Sequence, residues 1–216
     1  AKLGLRVHAP LVLRQRALFI PRFDRVCGSG QVLRLAQESI ATLTGMPGFE
    51  AVPSHDQVCL ALLRHCTDPQ QELLEYLRRD VANLALGNKD NHARNTAIQR
   101  DFQGRVALTP LYDFAPMYLH PDGIARRIRW EDNDAGQPDW VRVLDRVCEL
   151  GAQVQHERRT GTQIVRREAL REGLRAMAPV LEKIAAEGEA MGLAPELLKH
   201  LRPGILARAR ELAGVV

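Results

Sequence analysis

The feature that most constrains the fold of this 216-residue chain is a polar segment near its middle, residues 87–95, with the sequence GNKDNHARN. An Asp and an Asn stand five residues apart in it, at Asp90 and Asn95, and a second turn at 109–113, TPLYD, ends on Asp113. Phosphoryl transfer to a hydroxyl needs a carboxylate that accepts the hydroxyl proton and oxygen ligands that hold Mg²⁺ beside it. The sequence therefore predicts a phosphotransferase site with Asp90 as the base and with Asn95 and Asp113 as metal ligands.

The alternative interpretation of residues 87–95 is an ordinary surface turn, because Gly, Asn and Asp are the common turn formers. The segment before it argues against this alternative. Asp68, Pro69 and Gln71 have the residue types of an N-cap, a first-turn proline and a capping-box glutamine. A helix beginning there would present four apolar residues on one face, Leu74, Leu77, Val81 and Leu84. It would end at Gly87, a residue type typical of a helix C-cap.

A β-hairpin is predicted between the two polar turns, with strands at 96–99 and 105–109. The order of elements is then a helix, a polar loop, a hairpin and a second acidic turn. This order would bring Asp90, Asn95 and Asp113 to the same edge of a small sheet, which scattered surface residues would not require.

Four stretches of the chain together resemble a known family of kinases. They are residues 20–25 (IPRFDR), 34–38 (RLAQE), 90–95 (DNHARN) and 109–113 (TPLYD). In order and spacing they resemble the C-terminal part of HipA-like serine/threonine kinases, the toxins of bacterial type II toxin–antitoxin pairs. The resemblance extends over about the first half of the chain and is weaker in the helical second half. It implies an α+β, mainly α-helical fold: a protein-kinase-like C-lobe of HipA type with a hinge strand and a small β-hairpin.

The resemblance also implies roles for individual residues. Asp90 matches the family's catalytic base, and Asn95 and Asp113 match its metal ligands. Residues 21–23 match the hinge between the lobes, where backbone groups read the adenine edge; a proline there lacks only an N–H that the pairing does not need. The residues expected to contact the nucleotide are Pro21, Arg22, Phe23, His92, Ala93, Arg94, Asn95, Tyr112 and Asp113.

Two parts of a kinase do not precede the hinge in this sequence: a Gly-rich loop over the phosphates and a strand lysine that contacts them. Lys2 lies too near the first residue, and residues 1–7 resemble the end of an upstream helix that leads into a strand. We therefore expect residues 1–216 to be one HipA-like C-terminal kinase domain, a fragment from which most of the N-terminal lobe is missing. Alone, it is expected to bind Mg-ATP weakly.

The cofactors implied by the resemblance are ATP and Mg²⁺, and the implied partners are a translation-related protein substrate and an antitoxin with a helix-turn-helix domain. DNA is expected to be bound only indirectly, through the antitoxin. The net charge of +4 is a mild excess that does not by itself indicate nucleic acid. The apolar segment 11–20 is too short to span a membrane and is interrupted by two arginines. Without the pattern of a signal peptide, a cytoplasmic protein is expected.

Two other classes of protein remain open on these residues. The spacing of Asp90 and Asn95 also resembles the loops of phosphoinositide kinases and aminoglycoside phosphotransferases, in which the phosphate acceptor is a small molecule. Residues 23–25 favour the HipA-like family instead. A non-enzymatic alternative is an inactive pseudokinase or binding module, which would leave the intact set of Asp90, Asn95 and Asp113 unexplained.

The second half of the chain is predicted to be helical. Apolar periodicity and Pro or Gly punctuation predict helices at 138–150 (ending at Gly151), 164–177, 180–191, 195–201 and 205–212. Trp130 and Trp140 are expected in the core. Three arginines follow the second acidic turn, Arg126, Arg127 and Arg129. They are expected either to hold an acidic or phosphorylated partner or to belong to an exposed strand.

Overall fold

The computed structural model describes residues 1–28, 30–46, 48, 52–117, 125–132 and 136–215. Its strands are β1 (Val12–Arg14), β2 (Ala17–Phe19), β3 (Arg25–Gly28), β4 (Gln31–Arg34), β5 (Ala36–Ser39), β6 (Ala97–Arg100) and β7 (Val106–Leu108). Its helices are α1 (Ile40–Leu43), α2 (His55–His65), α3 (Pro69–Ala85), α4 (Trp140–Glu157), α5 (Arg167–Arg175), α6 (Ala178–Glu187) and α7 (Pro195–Ala213). Within the described ranges no helix combines the length and the apolar character needed to cross a membrane.

The strands form three small antiparallel sheets. β1 pairs with β2 and β3 with β4 as separate hairpins, whereas the third sheet has the order β5-β6-β7. β6 and β7 are the hairpin predicted between the two polar turns, with Ile98 opposite Leu108, and β5 extends it with Ser39 opposite Ala97. Thr109 N donates to the Ala97 carbonyl at 2.9 Å. The hairpin prediction is confirmed, and the loop before β6 therefore lies beside the turn after β7.

Helix α3 is the centre of the helical body. α2, α5 and α7 pack on it, and α4 packs on α2. Leu77 and Val81 are fully buried, and Leu74 and Leu84 are partly buried against the same core. The predicted apolar face is thus confirmed, and each fully buried leucine or valine contributes on the order of 1.5–3 kcal/mol relative to an exposed one.

The beginning of α3 follows the prediction at Asp68 and Pro69 but not at Gln71. The Asp68 side chain caps the helix by accepting a hydrogen bond from Gln71 N at 3.1 Å. The predicted capping-box role of Gln71 is wrong, because its side chain accepts from Arg105 of the hairpin turn at 2.8 Å. A complete capping box occurs instead at the start of α2, where Ser54 and Gln57 bond to each other's backbone amides.

The prediction that a helix ends at Gly151 is wrong, because α4 continues through this residue to Glu157. A Cβ at position 151 would lie only 2.5 Å from Val165 Cγ2. The glycine therefore lets the chain before α5 approach the surface of α4 closely, and it does not act as a helix stop.

Prolines are also accommodated inside or at the start of the C-terminal helices. Pro203 lies within α7, so the two helices predicted at 195–201 and 205–212 are one. Leu201 and Ile205 on either side of it are buried in the same core, and this continuous burial outweighs the one hydrogen bond that a proline removes. Pro179 was expected to end a helix, but it lies in the first turn of α6, where a missing N–H costs nothing.

The hinge strand implied by the resemblance is not formed. Residues 21–23 connect β2 to β3 and belong to no strand. The Arg22 guanidinium reaches across the bend to Asp24, with Nε 2.7 Å from Oδ1. This local ion pair accompanies a bend at the place where the resemblance implied a strand.

Candidate active site

The loop that carries Asp90 is fixed at its start to the end of α3. Gly87 has φ +68°, a left-handed conformation in which a side chain is strained, and a Cβ there would lie 3.2 Å from Leu201 of α7. Asn88 then bonds twice to Asn83, through backbone N to O and through Nδ2 to Oδ1, both at 2.9 Å. The chain therefore leaves α3 in a defined direction.

The loop is closed by hydrogen bonds between its own residues. Asn95 Nδ2 donates to the Asp90 carbonyl at 3.1 Å, and Asn95 N donates to the His92 carbonyl at 2.9 Å. The Asp90 carboxylate lies 3.8 Å from His92 Nε2, and the side chain is 39% exposed. Ala93 is buried, and its carbonyl accepts from Ala41 N at 3.2 Å. Asp90 is thus held by its backbone while its carboxylate stays accessible.

The second acidic turn is joined directly to this loop by Tyr112, whose hydroxyl donates to the Arg94 carbonyl at 2.6 Å. Burial raises the pKa of Tyr112 to about 12, so the hydroxyl remains a donor throughout the physiological range. The Tyr112 ring lies 5.6 Å from the ring of Phe23, measured between centroids. Tyr112 therefore connects the Asp90 loop with the segment at 21–23.

Two cavities show which predicted site residues meet. Asn95, Tyr112 and Asp113 line a small polar cavity of about 20 Å³. Tyr112 and Asp113 also line an adjoining, largely apolar cleft of about 1000 Å³, together with residues 21–23. Five predicted site residues, 21–23 with Tyr112 and Asp113, therefore line the cleft. Asp113 also lines the small cavity that contains Asn95.

The remaining predicted residues, Asp90, His92, Ala93 and Arg94, do not line either of these two cavities. Asp90 and His92 are bonded to Asn95, and Arg94 is bonded to Tyr112, so these three residues adjoin the lining of the cavities. Arg94 also donates from its guanidinium to the Gly48 carbonyl at 3.2 Å.

A row of charged residues on α3 supports the turn, and sequence reasoning missed it. Glu72 accepts from Leu108 N at 2.9 Å and pairs with Arg6, and Arg79 donates to the Thr109 carbonyl at 2.6 Å. Glu75 pairs with Arg79 at 2.8 Å, and desolvation on burial lowers the pKa of Arg79. The available signal was the spacing of Glu72, Glu75 and Arg79, which places them three and four residues apart on one side of the helix.

The three arginines after the second turn do not act as one surface group. Arg126 is buried, with its guanidinium 2.5 Å from Asp80, whereas Arg127 and Arg129 are exposed. Residues 125–130 form no strand. Arg126 therefore neither holds an acidic partner at the surface nor belongs to an exposed strand, and both expectations are wrong for this residue. The expected core positions of the tryptophans are confirmed, because both are buried: Trp130 is 5% and Trp140 3% exposed.

No group of three or more His, Cys, Asp or Glu side chains in the described part of the chain is arranged to hold a metal ion. The predicted magnesium ligands are one carboxylate and one amide, a smaller set. Magnesium commonly takes one or two protein oxygens and completes its shell with water and phosphate.

Comparison with known proteins relates this arrangement to a family. The family model described as HipA-like C-terminal domain matches residues 1–179. A protein of Sinorhizobium fredii named "Putative kinase Y4mE" is 33% identical over 112 residues, which are 49% of this chain and 26% of that protein. HipA of Shewanella oneidensis MR-1, in its complex with HipB and operator DNA, matches with a TM-score of 0.66 at 22% identity.

The structural match covers 97% of this chain and 52% of the Shewanella chain, and it shows that the fold, helices with small antiparallel sheets, is that of HipA. The chain thus spans only part of the length of both proteins. The family match, in contrast, extends over most of this chain and includes the Asp90 loop and the second acidic turn. The chain therefore belongs to the HipA-like C-terminal domain family.

Proposed function

We propose that this chain is the C-terminal, catalytic part of an ATP- and Mg²⁺-dependent protein serine/threonine kinase of HipA type. The observation that carries the proposal is the meeting of Asn95 and Asp113 at one polar cavity, beside a cleft lined by residues 21–23. A site for a nucleotide and its metal needs its polar ligands gathered at one end of a cleft that accepts the base.

In this proposal Asp90 is the general base that accepts the proton of the substrate hydroxyl. Its carboxylate is accessible, and the Asn95 amide fixes its backbone at 3.1 Å. A base must stand within hydrogen-bond reach of the proton it removes, so a fixed backbone with a free carboxylate suits the role.

Asn95 and Asp113 fit a pair of magnesium ligands. Because Asn95 Nδ2 donates to the Asp90 carbonyl, its amide oxygen is the atom left for a cation. Asp113 is exposed and has φ +52°, a left-handed conformation that Asp tolerates better than most residues. When bound there, the ion supplies neutralising charge to the transferred phosphate.

The nucleotide is proposed to lie in the 1000 Å³ cleft, with residues 21–23 contacting the base through backbone groups. The Arg22 side chain is already bonded to Asp24, and its guanidinium lowers the pKa of the Asp24 carboxyl. The backbone groups of residues 21–23 are therefore the part of this segment proposed to contact the base. His92, Ala93 and Arg94 are proposed to border the phosphates, because the Tyr112 hydroxyl ties this part of the loop to the cleft wall.

We further propose that the full-length protein has an antitoxin partner, contacts DNA only through it, and acts on a protein substrate. The support is the Shewanella HipA, whose structure is a complex with HipB and operator DNA. A cytoplasmic location is proposed as well. The four cysteines are free thiols, which suits a reducing compartment.

The test uses the full-length protein and compares phosphoryl transfer with Mg-ATP binding. Asp90→Asn keeps the size of the side chain but removes the proton acceptor, so transfer should fall by on the order of a hundredfold or more while Mg-ATP binding survives. Asp113→Asn removes a charged ligand and should weaken Mg-dependent nucleotide binding as well as transfer. Glu168→Gln is the control, because this exposed α5 residue pairs with Arg171 on the same helix.

Transfer at the parent rate by Asp90→Asn would show that Asp90 is not the base. If both Asp variants were silent in a demonstrably active protein, the site would have to be abandoned.

A further inference from the structure

We propose that Asp80 and Arg126 are positioning residues whose buried ion pair holds residues 125–131, beyond the second acidic turn, against the helix that leads into the Asp90 loop. This inference rests on the proposed kinase function, because it assigns to that segment a role in presenting the phosphate acceptor. Neither residue is a predicted contact of the nucleotide or the metal.

The Asp80–Arg126 pair is buried, and each carboxylate oxygen of Asp80 accepts a hydrogen bond from this segment. Arg126 Nη2 lies 2.5 Å from Asp80 Oδ1, with the two side chains 6% and 1% exposed. Trp130 Nε1 donates to Asp80 Oδ2 at 3.2 Å. One carboxylate on α3 therefore holds two side chains of the same segment, and removing its charge would leave the Arg126 charge buried without its anion.

His55 at the start of α2 completes the cluster. Its Nε2 accepts from Arg126 Nη2 at 2.6 Å, and its ring stacks on Trp130 with centroids 4.9 Å apart. Because Nε2 is an acceptor, Nδ1 carries the proton and donates to Tyr76 Oη at 2.8 Å. The cluster thus connects α2, α3 and the segment through side-chain hydrogen bonds and a ring contact.

The segment depends on these contacts because it has no helix or strand of its own at 125–130. Its backbone is tied to α2 at two points, where the Arg129 carbonyl accepts from His55 N at 2.8 Å and Glu131 N donates to Asp56 at 3.0 Å. Without a ladder of backbone bonds, side-chain pairs decide the position of such a segment.

The cluster adjoins the candidate site. Asp80 and Ile128 line the same 20 Å³ cavity as Asn95 and Asp113. The ion pair therefore lies next to the candidate site, although neither Asp80 nor Arg126 lines the nucleotide cleft.

The segment also lines a second cavity, which is the proposed side of approach for the acceptor. Arg126 and Arg129 line a space of about 440 Å³ together with Asn88 and Lys89 of the Asp90 loop. It shares no lining residue with the nucleotide cleft. An acceptor that approaches Asp90 from this side would contact the segment, whereas the nucleotide would not, so loss of the pair should separate the two.

The experiment measures peptide phosphorylation, Mg-ATP binding and amide hydrogen exchange in the full-length protein carrying Asp80→Asn or Arg126→Gln. The kcat/KM for the acceptor peptide should fall about tenfold or more, while the Kd for Mg-ATP changes less than about twofold. Exchange should increase in 125–131 and in the Asp90 loop before other regions. A double variant should cost less than the sum of the single ones, because the pair acts as a unit.

Leu170→Ala is the matched control, because it removes fully buried side-chain atoms from α5 and lowers stability without touching the cluster. Trp130→Phe covers the case in which the charge variants do not fold, since it removes the hydrogen bond to Asp80 and keeps a ring beside His55. It should lower acceptor kcat/KM about threefold or more with Mg-ATP binding retained.

Acceptor kinetics in Trp130→Phe and Asp80→Asn that match those of Leu170→Ala would overturn the inference and leave the kinase proposal intact. A loss of affinity for Mg-ATP as large as the loss in kcat/KM for the acceptor peptide would overturn it as well. A parent protein that neither binds Mg-ATP nor transfers phosphate would refute the kinase function itself, and the acceptor role would fall with it.

Discussion

The carboxylate of Glu72 connects three separate parts of the fold, so its replacement tests the architecture quantitatively. It is fully buried and accepts two hydrogen bonds from the Arg6 guanidinium, at 2.9 and 3.0 Å, and one from Leu108 N at 2.9 Å. Glu72→Gln keeps the size of the side chain but removes its charge. One of its two terminal atoms becomes an NH₂ group, which cannot accept from Arg6 or Leu108.

Breaking a buried ion pair from one side costs about 3–5 kcal/mol when the other charge stays buried. The Arg6 side chain is 30% exposed, so water offsets part of the loss, and we expect Glu72→Gln to lower the free energy of unfolding by about 2–4 kcal/mol. Glu157→Gln is the control, because Glu157 pairs with Arg64 where both side chains are about 40% exposed. That variant should leave the unfolding midpoint almost unchanged, because an exposed ion pair contributes little to stability.

Urea denaturation of both variants measures the difference, with a lower midpoint for Glu72→Gln and an unchanged slope. A loss below about 1 kcal/mol in Glu72→Gln, no larger than in Glu157→Gln, would refute the reasoning that this carboxylate organises the hairpin and the N-terminal segment on α3.

Three further outcomes are expected. Gly151→Ala should destabilise the protein by about 1–2 kcal/mol in thermal unfolding, because overpacking against Val165 outweighs the gain of about 1 kcal/mol in helix propensity; a stabilised variant would contradict this. Tyr112→Phe should weaken Mg-ATP binding several-fold at unchanged secondary structure, as measured by calorimetry and circular dichroism, because it frees the Arg94 carbonyl. Exposed Cys27 should be alkylated at pH 8 well before buried Cys66, whose pKa burial raises to about 12. Because this folded pKa lies above the unfolded one, the buried thiol's contribution to stability is present below about pH 9 and is lost as the pH rises towards 12.

The sequence by itself determined the elements whose signals are local. The cap at Asp68, the apolar face of α3 and the hairpin after the Asp90 loop each depend on residues a few positions apart, and all three are confirmed. The four stretches that resembled HipA-like kinases likewise lie in the part of the chain that the family match covers.

Only the tertiary structure decided the roles of residues whose partners lie far away in the chain. Gly151 and Pro203 have the residue types of helix ends, but Val165 at one and continuous burial at the other keep the helices running. Arg126 looked like a surface charge because its anion, Asp80, stands 46 positions earlier. The hairpin that brings Asp113 back beside Asn95 is local and was predicted. Its position on α3 depends instead on the contacts of Glu72 with Leu108 and of Arg79 with Thr109, which are distant in the chain and which no short window of sequence encodes.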